Sequence, residues 1–359
     1  MTAPLRPFRV IDTGLREGRA NIAFDSALIS LHKAGEIPDT IRFLTFPPTA
    51  LIGRHQALAQ EINLDYCRTH GVGLARRMTG GGAIYMDEGQ FGFELVFKRA
   101  TLGVANLGDL ARAICEAAAA GLQTLGVDAR YRPRNDIEVE GRKISGTGGF
   151  FDGDTMFYQG TILLRLDSAR MVGALNVPAA KLAKHGAANA GGRVVTLSEL
   201  APEAAADPAC VKAALLEGFA ARLGLTPQAG AITPAEEAAA RAAFDDEIGR
   251  DDFVAEIDAP AAGASVRSAS AQTPGGAITV HLRMEGARQA HIREALVTGD
   301  FFVTPPRVVM DLEAALRGVE AVDAQAATLR FFAAADVGIL SAKPEDFADV
   351  VARAAGASA

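Results

Sequence analysis

RRMTGGGAIYMDEGQ, residues 76–90, is the stretch from which the rest of the chain can be read. Gly80, Gly81 and Gly82 follow two arginines and a threonine and precede an apolar pair. A glycine surrenders more backbone freedom on folding than any other residue, so a triplet marks a sharp turn or a backbone against which something must lie. A Gly-rich turn offers N–H groups at close approach, and arginine adds a planar charged fork for carboxylate or phosphate. Arg76, Arg77 and Thr79 with the glycines therefore form a first, anion-facing constellation. It matches neither the G-x-x-x-x-G-K-[ST] loop nor the G-x-G-x-x-G fingerprint. Taken alone, three glycines fit a tight turn with solvated arginines equally well.

Around this stretch the pattern alternates between strands and helices. Upstream, Ala23, Ala27, Leu28 and Leu31 recur at helical spacing, and Ile41 to Phe46 read as a strand. PPTALIG gives a turn and a short strand ending at Gly53, and INLDYCRTHG a helix closed by Gly71. Downstream, FGFELVFKR alternates as a strand, and LGDLARAICEAAAAGLQTLG is an amphipathic helix. NDIEVEGRKISG reads as a hairpin with Glu140 and Gly141 at its tip. TMFYQGTILLRL is a further strand. Thr233 and Pro234 open a helix as cap and first helical residue. IDAPAAGASVRSASAQTPGG lacks periodicity and reads as a linker. Beyond it come three short strands and two helices, PPRVVMDLEAALRG and PEDFADVVARAAG.

The chain has 359 residues, 49% hydrophobic and 22% charged, a globular composition. A net charge of −7 argues against a general nucleic-acid binder, although a local basic site is compatible with it. Cys67, Cys115 and Cys210 are far apart and odd in number, which reads as reduced thiols in a cytoplasmic protein. The N-terminal residues show no signal-peptide pattern, and no apolar run is long enough for a membrane span. The six histidines are scattered without zinc-ligand spacing.

Two further constellations carry chemistry. In RNDIEVEGRKISGTG, residues 134–148, Lys143 lies just past the hairpin tip among the small residues Ser145, Gly146 and Gly148. A lysine so flanked can approach a ligand and balance charge developing on a phosphate or carbonyl oxygen. Asn135 and Asp136 are suited to orienting a nucleotide, and Asp136 to holding Mg²⁺. An exposed hairpin lysine beside a turn is the plainer reading. In YQGTILL, residues 158–164, Gln159, Gly160 and Thr161 precede a buried strand end.

Together these segments resemble the lipoate–protein ligase family, within the wider group of biotin and lipoate protein ligases. LIGRHQ resembles the family's I-G-x-x-Q strand end. RRMTGGGAIYMDEGQ resembles its R-R-x-S-G-G-G-A-V-[FY]-H-D-x-G-N core, and NDIEVEGRKISGTG its N-D-I-x-V-x-G-K-K-I-S-G-S-A segment. YQGTILL is similar to its H-H-G-T-L-L, and LNVPAAKLAKHGAANAGGRVVTLSEL to the loop that folds over an adenylate. HIREALVTGDFF resembles the accessory domain of two-domain members. The resemblance implies an α+β fold, with a catalytic domain of mixed β-sheets and flanking helices. It implies ATP-dependent activation of lipoate as lipoyl-AMP, assisted by Mg²⁺, and transfer to a lysine of a lipoyl-domain acceptor protein. Lys143 falls on the catalytic lysine. Arg54, Arg77, Thr79, Gly80, Gly81, Gly82, Ala83, Tyr85, Asn135, Asp136, Ser145, Gly146, Gln159, Gly160, Thr161 and Lys184 fall on substrate- or adenylate-binding positions.

The expected organisation is a catalytic domain over 1–255, a linker over 256–270 and a small accessory α+β domain over 271–359. Several positions depart from the family pattern. Met86 stands for His, Gln90 for Asn, Tyr158–Gln159 for His-His, and NAGGRV (189–194) for Ser-Val-x-Ser-Arg-Val. These changes touch the nucleotide-covering loop and the acceptor side, and point to a specialised acceptor such as the lipoate-binding proteins of sulfur oxidation. The rivals are an octanoyl- or lipoyl-transferase working through a cysteine, and a non-catalytic protein that only holds a lipoyl domain. The segment after the YQGTILL strand, RLDSARMVGALN, has no cysteine, and the G-R-G-R-x-G-R loop of biotin ligases is absent.

Overall fold

The computed structural model describes residues 6–104, 106–176, 191–260 and 266–356. Its larger part is built on a mixed sheet of eight strands. These are β1 (Arg6–Leu15), β2 (Thr40–Thr45), β6 (Gln90–Lys98), β7 (Arg130–Arg132), β8 (Asp136–Val139), β9 (Arg142–Asp152), β10 (Thr155–Leu163) and β11 (Leu225–Ala229). Their order is β11-β1-β2-β6-β10-β9-β8-β7. The pairs with β1 are parallel and the others antiparallel. A second sheet, β4-β3-β5, is formed by β3 (Thr49–Ile52), β4 (Gly73–Arg76) and β5 (Ile84–Met86).

The period of two along a strand divides the large sheet into two faces. Phe91, Phe93, Leu95 and Phe97 of β6 enter a core with helices Leu107–Thr124 and Pro208–Leu223. Phe24 and Leu28 of helix Gly18–Ala34 pack on the other face with Val96, Phe157 and Ala240. Ile22, Leu44 and Phe46 join Leu51 and Met86 of the small sheet, so the two sheets are clamped together at one end.

The remaining strands are β12 (Val266–Thr273), β13 (Gly276–Glu285), β14 (His291–Gly299), β15 (Val303–Thr304) and β16 (Gly338–Ile339). β12, β13 and β14 form an antiparallel sheet whose apolar face, with Ile278, Val280 and Leu282, packs under helices Val308–Leu316, Ala324–Ala334 and Pro344–Ala355. Val266 to Ser270 thus belong to a strand, where the sequence reads as linker. Its small residues (VRSASAQT) carry little β signal of their own, and the Thr-Pro-Gly-Gly turn to β13 is what pairs them. Helix Ala324–Ala334 also escaped the sequence reading.

Candidate active site

A cavity of about 390 Å³ opens between the two sheets. Its inner wall is apolar, with Ile22, Leu44, Phe46, Leu51 and Ile84, and its polar side gathers around Lys143. That is within the size and composition usual for a small-molecule site. Gln90, Gly92 and Glu94 of β6 line it, as do Gln159, Thr161 and Leu163 of β10, the faces opposite the phenylalanine core.

Lys143 reaches this side because of a bulge. β8 and β9 pair Ile137 with Ser145 but Glu138 with Lys143, so β9 carries one extra residue there. Strict alternation would put Lys143 on the face opposite Gly146 and Gly148. The bulge puts its ammonium against Gly146, where a β-carbon would crowd Nζ. The tip of the hairpin has φ of 51° at Glu140 and 79° at Gly141, the left-handed pair that a two-residue turn requires.

Lys143 Nζ lies 2.7 Å from Asp136 Oδ1, and Arg132 Nη2 lies 2.7 Å from Asp136 Oδ2. Burial alone would raise the Asp136 carboxyl, but Lys143 and Arg132 together outweigh it and hold the group below the usual aspartate value. Beneath this group, Thr147 Oγ1 lies 2.6 Å from Tyr158 Oη and donates to Asn135 O at 2.9 Å, while Asn135 Nδ2 donates to Thr147 O. Gln159 Nε2 donates to Thr79 Oγ1 at 2.7 Å and ties the glycine loop to the sheet.

The arginines of the opening stretch act differently from the anion-facing reading. Arg76 is buried and donates to the carbonyls of Gly53, Arg54, Gln56, Val254 and Ile257, a knot that holds five backbone groups. Arg77 lines the cavity, yet its guanidinium donates to Leu51 O, Gly80 O and Gly82 O and so shapes the glycine loop. Burial lowers its pKa to about 10, which leaves it charged near neutrality.

Of the other residues expected at the site, Thr79, Gly80, Gly81, Gly82, Ala83, Tyr85, Asn135, Asp136, Gly146, Gln159, Gly160 and Thr161 line the cavity. Arg54 does not: it pairs with Glu256 at 2.5 Å and stands over the Phe253 ring. Ser145 is buried and turned away from the cavity, as alternation with Gly146 requires. Lys184 lies outside the described residues. The sequence reading did not assign Glu94, Arg134, Asp300 or Phe302 to the site, and all four line it. Phe302 comes from a distant segment, which no local motif signals.

Asp136 does not suit magnesium. Both its oxygens already face cations, and the described residues hold no group of three His, Cys, Asp or Glu placed for a metal ion. None of the chain's three cysteines lines the cavity. Cys67 and Cys115 are buried and Cys210 is exposed on helix Pro208–Leu223. Burial pushes the Cys115 thiol up to about 12.

The cavity thus joins an apolar inner wall to a polar side that carries the Lys143–Asp136 pair. The chain belongs to the lipoyl protein ligase A/B catalytic domain family, whose model matches residues 17–220. It is 31% identical over 183 residues to a probable lipoate-protein ligase A of Mycoplasma pneumoniae, covering 51% of this chain and 53% of that protein. It is 28% identical over 258 residues to the octanoyltransferase LipM of Halalkalibacterium halodurans, covering 65% and 93%. Among solved structures, a bipartite lipoate protein ligase of Thermoplasma acidophilum, studied with its E2 lipoyl domain, matches with a TM-score of 0.62 at 26% identity. That match covers 72% of this chain and all of the other. LipL1 of P. falciparum in complex with lipoate shares the fold over 97% of this chain and 98% of its own, with a TM-score of 0.72 at 18% identity.

Proposed function

We propose that this chain is an ATP-dependent lipoate–protein ligase. The observation that carries the choice over a cysteine-dependent transferase is the composition of the cavity wall: Lys143 is there and no cysteine is. The family includes both activities by name, so the reading rests on the chemistry of the wall. A lipoate-protein ligase A bound with ATP is also similar in structure, with a TM-score of 0.60 at 25% identity over 70% of this chain.

In the reading proposed, a lipoate oxygen attacks the α-phosphorus of ATP, a P–O bond breaks, and pyrophosphate leaves with the bonding pair. Lys143, held by Asp136, balances negative charge on the phosphate and carboxylate oxygens. The amine of an acceptor lysine then attacks the acyl carbon. An amide forms, AMP leaves with the electrons of the broken C–O bond, and the amine sheds a proton. No enzyme nucleophile is required, and alignment of two reactants carries much of the rate. Magnesium would arrive on the nucleotide phosphates. The acceptor is proposed to be a lipoyl domain, with the lipoate-binding proteins of sulfur oxidation as the specialised candidates.

The test is a mass shift. The full chain is incubated with lipoate, ATP, Mg²⁺ and a panel of lipoyl-domain acceptors, with Lys143→Ala alongside. An ATP-dependent gain of one lipoyl group, lost in the variant, is the expected result. Transfer from an acylated carrier protein without ATP would replace this reading with a transferase. Binding of a lipoyl domain with no transfer by either route would replace it with a non-catalytic holder.

A further inference from the structure

The accessory sheet delivers one segment, Gly299 to Thr304, directly onto the site. Gly299 N–H donates to His55 O at 2.9 Å, and Gly81 N–H donates to Phe301 O at 3.3 Å. Thr304 Oγ1 accepts from Phe151 N–H at 2.6 Å and donates to Phe151 O at 3.1 Å. The Phe301 ring stacks on His55, centroids 5.2 Å apart and planes 15° apart. The segment is therefore fixed to three separate parts of the catalytic region: the end of β3, the glycine loop and β9.

What this fixation presents to the cavity is the ring of Phe302. It lies between two glycines of opposite walls. A β-carbon on Gly81 would come 2.6 Å from Phe302 Cζ, and one on Gly148 would overlap Cε1. Gly81 also has φ of 94°, so glycine is required there on two counts. Gly148 is two residues along β9 from Gly146, the glycine against which Lys143 rests. The ring thus stands beside the Lys143 end of the cleft, with the main apolar core packed against it. The space over these two glycines is occupied by a side chain of the accessory region.

We infer that Phe302 shields the reaction centre from water, so that an activated acyl group formed beside Lys143 is kept for the acceptor amine. The inference rests on the ligase reading. An acyl-adenylate is a mixed anhydride. Water attacking its acyl carbon breaks the same C–O bond as the amine does, releases AMP with the bonding pair, and yields the free acid after loss of a proton. An apolar ring closing the side of the cleft removes the water without adding a group that reacts.

The experiment uses the full chain with lipoate, ATP and Mg²⁺, and compares the native protein with Phe302→Ala and Phe302→Leu. Pyrophosphate release is followed without acceptor, then with a lipoyl domain that the native protein modifies. The native chain should release one burst and then little. Phe302→Ala should raise the ratio of hydrolysis to transfer by about tenfold, and Phe302→Leu should restore most of the native ratio. A burst with an unchanged ratio in Phe302→Ala overturns the shield and leaves the ligase reading standing. Equal leakage in both variants, with melting temperatures lowered together, also overturns it, because the ring would then serve only docking. No burst in the native chain overturns both.

Discussion

Two ion clusters sit a few strands apart in the same sheet and have opposite make-up. In the first, Arg42 of β2 is fully buried, with Nη1 2.6 Å from Asp25 and 3.0 Å from Glu94. Its other nitrogens donate to Asn21 Oδ1 and Thr13 Oγ1. One cation there faces two carboxyls. Burial, and then the Asp25 charge, drive the Glu94 carboxyl well above its ordinary range. In the second, Asp136 faces two cations, Lys143 and Arg132, and is held below its ordinary range. Lys143 is 35% exposed there. The first cluster meets the cavity only through Glu94, and its cation is turned to its own carboxyls. The second keeps one cation on an open cavity, which is the arrangement that receives an anion.

The comparison is broken or sharpened by substitution. Arg42→Met should cost the most, about 3–5 kcal/mol of stability in urea unfolding, because it strips the cation that pairs with two buried carboxyls. Lys143→Ala should do the reverse. Its unfolding free energy should stay within about 0.5 kcal/mol of native, while lipoyl-AMP formation falls about 10²- to 10³-fold. A loss of fold in Lys143→Ala, or of catalysis without loss of fold in Arg42→Met, would erase the distinction.

Smaller effects appear in the pH dependence, with opposite signs. A raised folded-state carboxyl stabilises below its unfolded value and loses that contribution as pH rises through the folded value. Melting temperature against pH, taken upward from the ordinary glutamate value of 4.5, should therefore fall less in Glu94→Gln than in the native protein. A depressed carboxyl stabilises above its unfolded value and loses that contribution as pH falls. Asp136→Asn should thus blunt the acid-side loss below the ordinary aspartate value of 3.8, and should change stability near neutrality by less than about 1 kcal/mol. Parallel curves for the two variants would show that the clusters do not differ as described.

Much of the site was legible because its signals are local. The Glu140–Gly141 turn, the glycine loop and the alternation of FGFELVFKR each occupy a few consecutive residues and have a period or a special φ. The illegible parts depend on distant partners. Arg77 reads as an anion fork until the carbonyls of Leu51, Gly80 and Gly82 are seen to take its donors. Asp136 reads as a metal ligand until Arg132 and Lys143 flank it. Ser145 reads as a neighbour of Lys143, but the β9 bulge sends the two apart. Phe302 follows Gly81 by more than two hundred positions, and only the folding of the β12–β14 sheet and the segment after it brings them together.

The bulge in β9 also makes the protein vulnerable to a change of length. Inward or outward orientation in a strand is decided by parity, so a slip of one position reverses every side chain it reaches. A single inserted residue at the Glu140–Gly141 tip has two fates. The turn can grow and absorb it, or the insertion can cancel the bulge and carry Lys143 to the wrong face. The second product would also turn Ile144, fully buried in the main core, toward the cavity, so its melting temperature and its acyl transfer should fall together. The length of that tip thus sets packing and catalysis through a single count of residues.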